Sequence, residues 1–277
     1  MKIEKKIIIA GCVKDCGKFL YNSLRNIERI KSICNDVKVI IAYDKSSDGS
    51  LKILNDYYEA NTENTYLIIN PKQLSPVRTI NIANARNSIM NLIKIKFSDY
   101  DTMIMMDMDD ACALFPINLN TAYDYLVTKY DEWDSLSFNR KYGYYDIWAL
   151  RYNPYYLNCW AFGPDSKKVV DIISKDITLK LSNLKANEYL SVESAFNGIA
   201  FYKLKYFKEC IYNGVHDCKL YESYKIAPAL IQFHQMQINF VANYRYECEH
   251  INFHHEAKTF YPDLKILVSP LDIFLNE

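Results

Sequence analysis

The sequence predicts an α/β fold with a central, mostly parallel sheet flanked by helices. Strand-like and helix-like segments alternate through the first half of the chain, as they do where helices connect parallel strands. With 277 residues, 50% of them hydrophobic, the chain is long enough to bury a substantial core. No internal repeat and no linker rich in Pro, Gly or Ser interrupts it, so we expect one domain over residues 1–277.

Four strands are expected in the first half, and three helices follow them in alternation. Short apolar runs predict the strands at residues 6–12, 37–43, 65–70 and 101–106. Apolar residues at helical spacing predict the helices at residues 19–30, 51–60 and 80–97. Turn and N-cap residues at 46–50 precede the second helix, and a loop at residues 71–76 precedes the third.

The second half of the chain is less regular. Its apolar runs predict strands at residues 133–139, 145–150 and 198–202. Helices are expected at residues 165–181 and 249–258.

Composition argues against several classes of protein. Basic and acidic residues balance at 33 each, and no basic stripe is evident, so a nucleic-acid partner is not expected. The eight cysteines include no CxxC pair, which favours reduced, mostly buried thiols over a zinc knuckle. The charged N-terminus leads straight into a strand, and no apolar run reaches about 18 residues, so neither a signal peptide nor a membrane span is expected. These features predict a cytoplasmic protein.

An acidic cluster follows the fourth strand, at Asp107, Asp109 and Asp110. In an open α/β sheet the carboxyl ends of the strands border the ligand crevice. Three carboxylates there repel one another unless a cation lies between them, and Mg²⁺ or Mn²⁺ binds one or two carboxylates together with substrate phosphates. The cluster therefore predicts a metal-bound nucleoside diphosphate; the alternative is a solvated acidic turn.

Other polar residues are candidates for contacts with the nucleotide. Gly11 follows the first strand and allows a base or ribose to approach the backbone, and Asp15 lies in the same segment. Asp44 ends the second strand, where it either accepts hydrogen bonds from a base or ribose or is a plain turn acid. Three further candidates precede the acidic strand: Arg78, Arg86 and Asn87. Arginine makes forked contacts with phosphate oxygens, although a helical arginine is also simply solvent-exposed.

In this order the segments resemble glycosyltransferases of the GT-A type. Residues 43–50 look like the strand and turn of family 2 glycosyltransferases, and residues 85–87 followed by 107–110 are similar to that superfamily's order of parts. Residues 78–87 and 145–151 resemble the fungal capsule-associated mannosyltransferases. Residues 193–202 with 248–250 resemble bacterial, phage and giant-virus relatives.

The resemblance implies a GT-A fold with a nucleotide-binding half over residues 1–110 and an acceptor-binding half over residues 111–277. It implies a UDP- or GDP-sugar donor, Mn²⁺ or Mg²⁺, and a glycan or glycoconjugate acceptor. Asp107 would lie near the ribose or the metal, and Asp109 and Asp110 would ligate the metal. A virus-infected host cell is the second location that it implies.

A late acidic residue is the expected catalytic base. In family 2 enzymes an acidic pair opens a late helix and its Asp is the general base; here the matching place is Glu249-His250, with His in place of Asp. Glu249 is therefore the expected base, and Glu193 is a second candidate for the base or for a sugar contact. His250 and His254 lie four residues apart on one helix face, a spacing that suits a metal. Alternatively, His250 donates to the diphosphate and His254 lies on a wet surface.

The expected strand at residues 145–150 carries a candidate sugar site. Asp146 and Trp148 alternate along it and would face the same side, with Arg151 just beyond. A carboxylate beside an indole binds a sugar through hydrogen bonds and ring stacking. The alternative is that Trp148 belongs to the core and Asp146 caps a turn.

The expected function is transfer of a sugar from a nucleoside-diphosphate sugar to a hydroxyl acceptor. A sugar nucleotidyltransferase is one alternative, but residues 11–17 are a poor version of the Gly-rich basic loop typical of such enzymes. A non-catalytic carbohydrate-binding descendant is the other. Three carboxylates together with Arg86 argue against that alternative.

Overall fold

The computed structural model describes residues 2–70, 74–215, 217, 223–241 and 244–275. Within these residues eight strands form one sheet. They are β1 (Ile3–Val13), β2 (Cys34–Asp44), β3 (Thr65–Asn70), β4 (Thr102–Asp107), β5 (Ser135–Asn139), β6 (Leu190–Ser191), β7 (Ile199–Lys203) and β8 (Ile266–Asp272). The first half of the chain supplies β1 to β4 and the second half β5 to β8, so both halves contribute to the same sheet.

Nine helices accompany the sheet in the part of the chain that the structure describes. They are α1 (Gly17–Ser32), α2 (Ser50–Ala60), α3 (Arg78–Lys96), α4 (Asp110–Ala113), α5 (Leu119–Tyr123), α6 (Ser166–Ser182), α7 (Leu204–Phe207), α8 (Ser223–Gln235) and α9 (Glu249–Phe260). Three single helical turns lie at Asp124–Thr128, Tyr130–Glu132 and Gly163–Asp165.

The sheet is mixed, with the order β3-β2-β1-β4-β7-β5-β8-β6. The pairs β2–β3, β1–β2 and β1–β4 are parallel, so the first four strands share one direction. Strand β7 runs antiparallel to both β4 and β5, β5 and β8 are parallel, and β6 is antiparallel to β8. The expected α/β fold with a mostly parallel sheet is confirmed.

Two apolar layers cover the two faces of the sheet. Along β1 the side chains of Ile8 and Ala10 pack into one layer, and those of Ile7 and Ile9 pack into the other. This follows from the alternation of side chains along a strand. Helices α3, α6, α8 and α9 contribute to the first layer, and α1 and α2 contribute to the second. A strand buried on both faces is apolar throughout, as in the run from Met103 to Met106.

Most of the expected elements are present, and one is wrong. Residues 145–150 form turns and loop rather than a strand, because their backbone pairs with no neighbouring strand. The sequence analysis also missed the strands β6 and β8 and the helices α4, α5, α7 and α8. Of the expected loop at residues 71–76, residues 71–73 lie outside the described part of the chain.

The expectation of mostly buried cysteines can be compared with the described residues. Seven cysteines are free and all but Cys12 are buried; Cys218 lies outside the described residues. Among the described helices, none combines the length and the hydropathy needed to cross a bilayer.

Candidate functional site

A cavity of about 310 Å³ lies where the sheet changes its order of strands. It is bordered by Val13 and the residues after β1, by Asp44 at the end of β2, and by Asp107 to Asp109 at the end of β4. Strands β2 and β3 lie to one side of β1 and β4 lies to the other, so the chain leaves β1 and β4 in opposite directions. The crevice at such a switch point, beyond the carboxyl ends of the strands, is where α/β folds bind ligands.

One face of α3 forms a wall of this cavity. The residues that line it lie three or four positions apart, as one helix face requires. They are Arg78, Asn81, Ile82, Ala85 and Arg86. The structure thus brings both predicted arginines to the same cavity. Arg78 is exposed, and its charge lies close enough to Asp109 to oppose the rise in the pKa of that carboxyl group.

Arg86 lies at the centre of a buried polar network. Its Nη1 contacts Glu249 Oε1 and His250 Nε2, and its Nη2 donates to Asp107 Oδ1 at 3.3 Å. The side chain is only 6% exposed. Burial alone would lower the pKa of Arg86, but the carboxylates of Glu249 and Asp107 outweigh that effect and raise it. Arg86 is therefore a fixed cation between α9 and the end of β4.

His250 accepts from Arg86 and so serves as a neutral imidazole. Its Nδ1 lies 3.3 Å from the hydroxyl of Tyr202, and its ring stacks on Phe196 with 3.9 Å between centroids. Burial and the charge of Arg86 lower its pKa. Both ring nitrogens thus contact protein groups, so the structure supports His250 as a support for Arg86 rather than as a metal ligand.

The three acids of the cluster lie in different surroundings. The side chain of Asp107 is 29% exposed, Asp109 is half-buried and caps α4 by accepting from Ala111 N at 3.1 Å, and Asp110 is exposed. Only Asp107 and Asp109 line the cavity. Burial raises the pKa of Asp107 to about 8, the charge of Arg86 opposes this, and Asp109 and Asp146 add to it. Burial raises the pKa of Asp109 as well.

A bound cation would relieve this accumulation of negative charge. Among the described residues, however, no group of three or more His, Cys, Asp and Glu side chains is arranged to hold a metal ion. Asp107 and Asp109 therefore supply two carboxylates, and any further ligands must come from substrate or water. Such a donor set fits Mg²⁺ or Mn²⁺ better than it fits zinc.

Of the other residues predicted to contact the nucleotide, two line the cavity and two do not. Asp15 and Asp44 line the cavity. Asp15 accepts from the backbone and hydroxyl of Ser47, which ties the loop after β1 to the loop after β2. Asp44 is 9% exposed, and Asn70 Nδ2 donates to its Oδ1 at 2.8 Å.

Gly11 and Asn87 do not line the cavity. A Cβ on Gly11 would lie 2.7 Å from the Met108 side chain, so its smallness accommodates Met108 rather than a base or ribose. Asn87 makes two hydrogen bonds with the backbone of Tyr212, at 2.9 Å and 2.8 Å. Both residues support the structure around the cavity, and the structure does not bring them to the cavity with the other nucleotide-side candidates.

Tyr145 is a site residue that the sequence analysis did not single out. Its hydroxyl donates to Asp107 Oδ2 at 3.3 Å, on the oxygen that Arg86 leaves free. Asn197 Oδ1 accepts from the backbone N–H groups of both Tyr145 and Asp146 at 3.2 Å. Gly198, with a φ of +88°, leaves room for the phenol, because a Cβ there would lie 2.6 Å from its oxygen. The pair Asn197-Gly198 was the available sequence signal.

The candidate sugar site is only partly assembled. Asp146 is half-buried and accepts from Ala149 N at 3.3 Å, so it does cap a turn. Trp148 is half-buried and packs against the apolar core. Arg151 is 4% exposed, and it donates to Glu247 Oε1 at 2.9 Å. The guanidinium of Arg151 is buried in this ion pair and does not line the cavity, so the structure does not present it to a sugar there.

Two more predicted residues lie away from the cavity. Glu193 accepts from Lys258 Nζ at 2.7 Å in a partly exposed ion pair. His254 is fully buried: its Nδ1 donates to His250 O at 2.9 Å, and its Nε2 lies 3.3 Å from Ser135 Oγ. With both nitrogens engaged, His254 is neither a metal ligand nor a surface residue.

No protein-family model and no curated protein sequence matches the chain. The solved structures that are similar to it include TarS and GalNAc-T7. TarS of S. aureus, residues 1–349 in complex with UDP, matches with a TM-score of 0.50 and 13% identity over 97% of this chain and 59% of that chain. GalNAc-T7 with UDP, GalNAc and Mn²⁺ matches with a TM-score of 0.52 and 11% identity over 96% of this chain and 43% of that one.

The fold is the GT-A fold of glycosyltransferases. The expectation drawn from the order of motifs is confirmed at this level. The chain spans less than two thirds of the length of both similar structures. The resemblance to fungal, phage and giant-virus enzymes stays a prediction from the sequence.

Proposed function

We propose that this GT-A protein transfers a sugar from a UDP- or GDP-sugar to a hydroxyl group of a glycan or glycoconjugate. One observation carries the proposal: Arg86 and the carboxylates of Asp107 and Asp109 line the same cavity at the switch point of the sheet. A fixed guanidinium beside two metal-binding carboxylates suits a diphosphate, which is the leaving group in this reaction.

The donor would occupy the cavity, with its diphosphate toward α3 and the end of β4. Asp107 and Asp109 would hold Mn²⁺ or Mg²⁺ together with diphosphate oxygens, and Arg78 adds a second positive charge to the same wall. A cation held there would neutralise charge that develops on the leaving diphosphate. Asp15 and Asp44 remain the candidates for the nucleoside. GalNAc-T7, which has this fold, was solved with UDP, GalNAc and Mn²⁺, and this supports the choice of donor and metal.

We propose that the two parts of the chain bind different substrates. Every residue that lines the cavity lies between Cys12 and Asp109, so we assign donor binding to residues 1–110 and acceptor binding to residues 111–277. A cytoplasmic location, including that of an infected host cell, stays a prediction from the sequence.

Asp109→Asn tests the proposal because the amide keeps the oxygen that caps α4 and loses the charge. UDP or GDP with Mn²⁺ should raise the melting temperature of the wild type; at a ligand concentration 100 times Kd the stabilisation is about 2.7 kcal/mol. Asp109→Asn should lose that shift, since the cation loses a carboxylate. Asp110→Asn is the matched control: this exposed neighbour does not line the cavity, so the shift should remain.

Other outcomes would select other functions. A melting temperature that no nucleotide shifts would favour a non-catalytic carbohydrate-binding descendant. Preference for nucleoside triphosphates, with release of pyrophosphate, would favour a nucleotidyltransferase.

A further inference from the structure

We propose that Asp146, rather than Glu249, is the base that takes the proton from the acceptor hydroxyl, an inference that rests on the proposed function. Asp146 has a half-buried carboxylate that the donor cavity does not use, and it follows Tyr145, whose hydroxyl contacts Asp107. Asp146 lies in the loop after β5, whereas Glu249 is the first residue of α9.

Glu249 is poorly placed for proton transfer. Its side chain is 6% exposed, and Oε1 is bound to Arg86. The same guanidinium reaches Asp107, so protonation of Glu249 would weaken the contact that fixes Arg86 at the cavity. Glu249 is better described as a positioning residue that acts through Arg86.

Asp146 is held in place by a rigid support. Asn197 is fully buried, has a φ of +56°, and donates through Nδ2 to Phe138 O at 2.8 Å. Its Oδ1 accepts from the backbone of both Tyr145 and Asp146. Because the hydroxyl of Tyr145 reaches Asp107, this support holds in place both the residue that contacts Asp107 and its neighbour, Asp146.

One carboxylate oxygen of Asp146 is available for a further hydrogen bond. Its Oδ1 accepts a 3.3 Å hydrogen bond from Ala149 N, and in the described part of the chain no donor contacts its Oδ2. Its charge lies close enough to Asp107 and Tyr145 to raise the pKa of both groups. A free carboxylate oxygen in this place can accept a hydrogen bond from an incoming hydroxyl.

The acidity of Asp146 also suits a base. Burial raises its pKa to about 6, Ala149 N opposes the rise, and Glu249 adds to it. A carboxylate in this range is ionised at neutral pH and still basic enough to take a proton in the transition state.

The step balances with the chain's own residues and the two substrates. The acceptor oxygen forms a bond to the anomeric carbon, and the bond from that carbon to the diphosphate oxygen breaks. The electron pair leaves with the nucleoside diphosphate, and the acceptor proton passes to Asp146 Oδ2. This is direct displacement, so it predicts inversion at the anomeric carbon.

The experiment uses UDP- and GDP-hexoses with Mn²⁺, with water as the acceptor, and measures release of UDP or GDP. Asp146→Asn should lower kcat by about 100-fold or more while the Kd for UDP or GDP stays the same. Asp171→Asn, an exposed acid on α6, should turn over like the wild type. For Asp146→Ala, sodium azide should restore release with formation of a glycosyl azide, because an anionic nucleophile has no proton to lose.

Results that contradict the role of Asp146 can be told apart from results that contradict the proposed function. Wild-type turnover by Asp146→Asn overturns the inference and leaves the proposed function intact. Loss of turnover that accompanies loss of nucleotide binding, and that azide does not restore, shows a structural role and also overturns it. A wild type that binds neither UDP nor GDP refutes the proposed function itself.

Discussion

Arg86 and Glu249 form a buried ion pair that joins α3 to α9 across 163 positions of sequence. The pair holds the guanidinium so that its other nitrogen reaches Asp107. A buried ion pair is weak evidence for stability as such, but removal of one partner leaves an uncompensated buried charge. The pair therefore links the integrity of the cavity to the stability of the second half of the chain.

Glu249→Gln should destabilise the protein and weaken nucleotide binding together. Breaking one partner of a buried pair costs about 3–5 kcal/mol, and an amide in place of the carboxylate no longer balances the charge of Arg86. Urea unfolding and UDP or GDP titration measure the two effects. Glu209→Gln is the matched control, because its ion pair with Lys94 is 54% exposed on both sides and should contribute about 1 kcal/mol or less. Equal losses in the two variants would contradict the assignment.

Gly198→Ala should displace Tyr145 from Asp107. The new Cβ would lie 2.6 Å from the phenol oxygen at a backbone φ of +88°, so both overpacking and backbone strain apply. We expect a loss of about 1–3 kcal/mol in the free energy of unfolding, measured in urea. Gly49→Ala is the control, since nothing lies within 4 Å of its Cβ position and its φ is −74°.

A double-mutant cycle separates the two causes. Tyr145→Phe removes the oxygen with which the new Cβ collides, so Tyr145→Phe with Gly198→Ala should cost less than the sum of the single changes. Strict additivity would show that the phenol oxygen is not responsible, which leaves the backbone strain at Gly198 and the approach of the new Cβ to Ala111 Cβ at 3.2 Å.

Asn87→Ala should loosen the segment around Tyr212 without direct damage to the cavity. The amide makes two hydrogen bonds to the Tyr212 backbone, and an unpaired buried backbone group costs about 1–3 kcal/mol. Amide hydrogen exchange at Tyr212 should rise. Asn84→Ala, one helical turn earlier on α3, should leave that exchange unchanged; an equal rise there would point to a general loosening of α3.

The elements that sequence predicts best are those whose pattern is local. Strand β3 lies at residues 65–70, as expected, and its prediction needs only an apolar run of near neighbours. The acidic residues after β4 were likewise expected at the ligand crevice from the position of the strand end.

The wrong assignments depend on contacts between distant residues. The alternation of Asp146 and Trp148 imitates a strand, but the backbone there is held by the side chain of Asn197, 51 positions from Asp146. Arg151 was expected at a sugar and is paired with Glu247, 96 positions away. Periodicity carries no information about either partner.

The burial of His254 in α9 also depends on distant residues that helical spacing does not reveal. Three histidines within six residues suggest a wet or metal-binding face, yet α9 is covered by Ser135 and Ser194 from elsewhere in the chain. A polar side chain that is satisfied by distant hydroxyls belongs to the core. The sequence of α9 alone contains no sign of those two serines.

The buried His254 should make folding stability depend on pH. Burial lowers its pKa to about 3, and the charge of Lys258 adds to this effect. An unfolded histidine has a pKa of about 6.5, so between these values the unfolded chain binds a proton that the folded chain does not. The free energy of unfolding therefore falls as pH falls through this range, by about 2 kcal/mol at pH 5 for this one group.

His254→Gln removes this titration and keeps an amide that can hydrogen-bond. At pH 7 the variant should have a lower free energy of unfolding than the wild type, because its packing and hydrogen bonds are altered. At pH 5 this difference in the free energy of unfolding should be smaller by about 2 kcal/mol. Urea unfolding at both pH values measures it. His255→Gln is the control, because it makes the same replacement at the exposed neighbouring position of α9. The buried, neutral assignment of His254 fails if the His254→Gln difference is the same at both pH values.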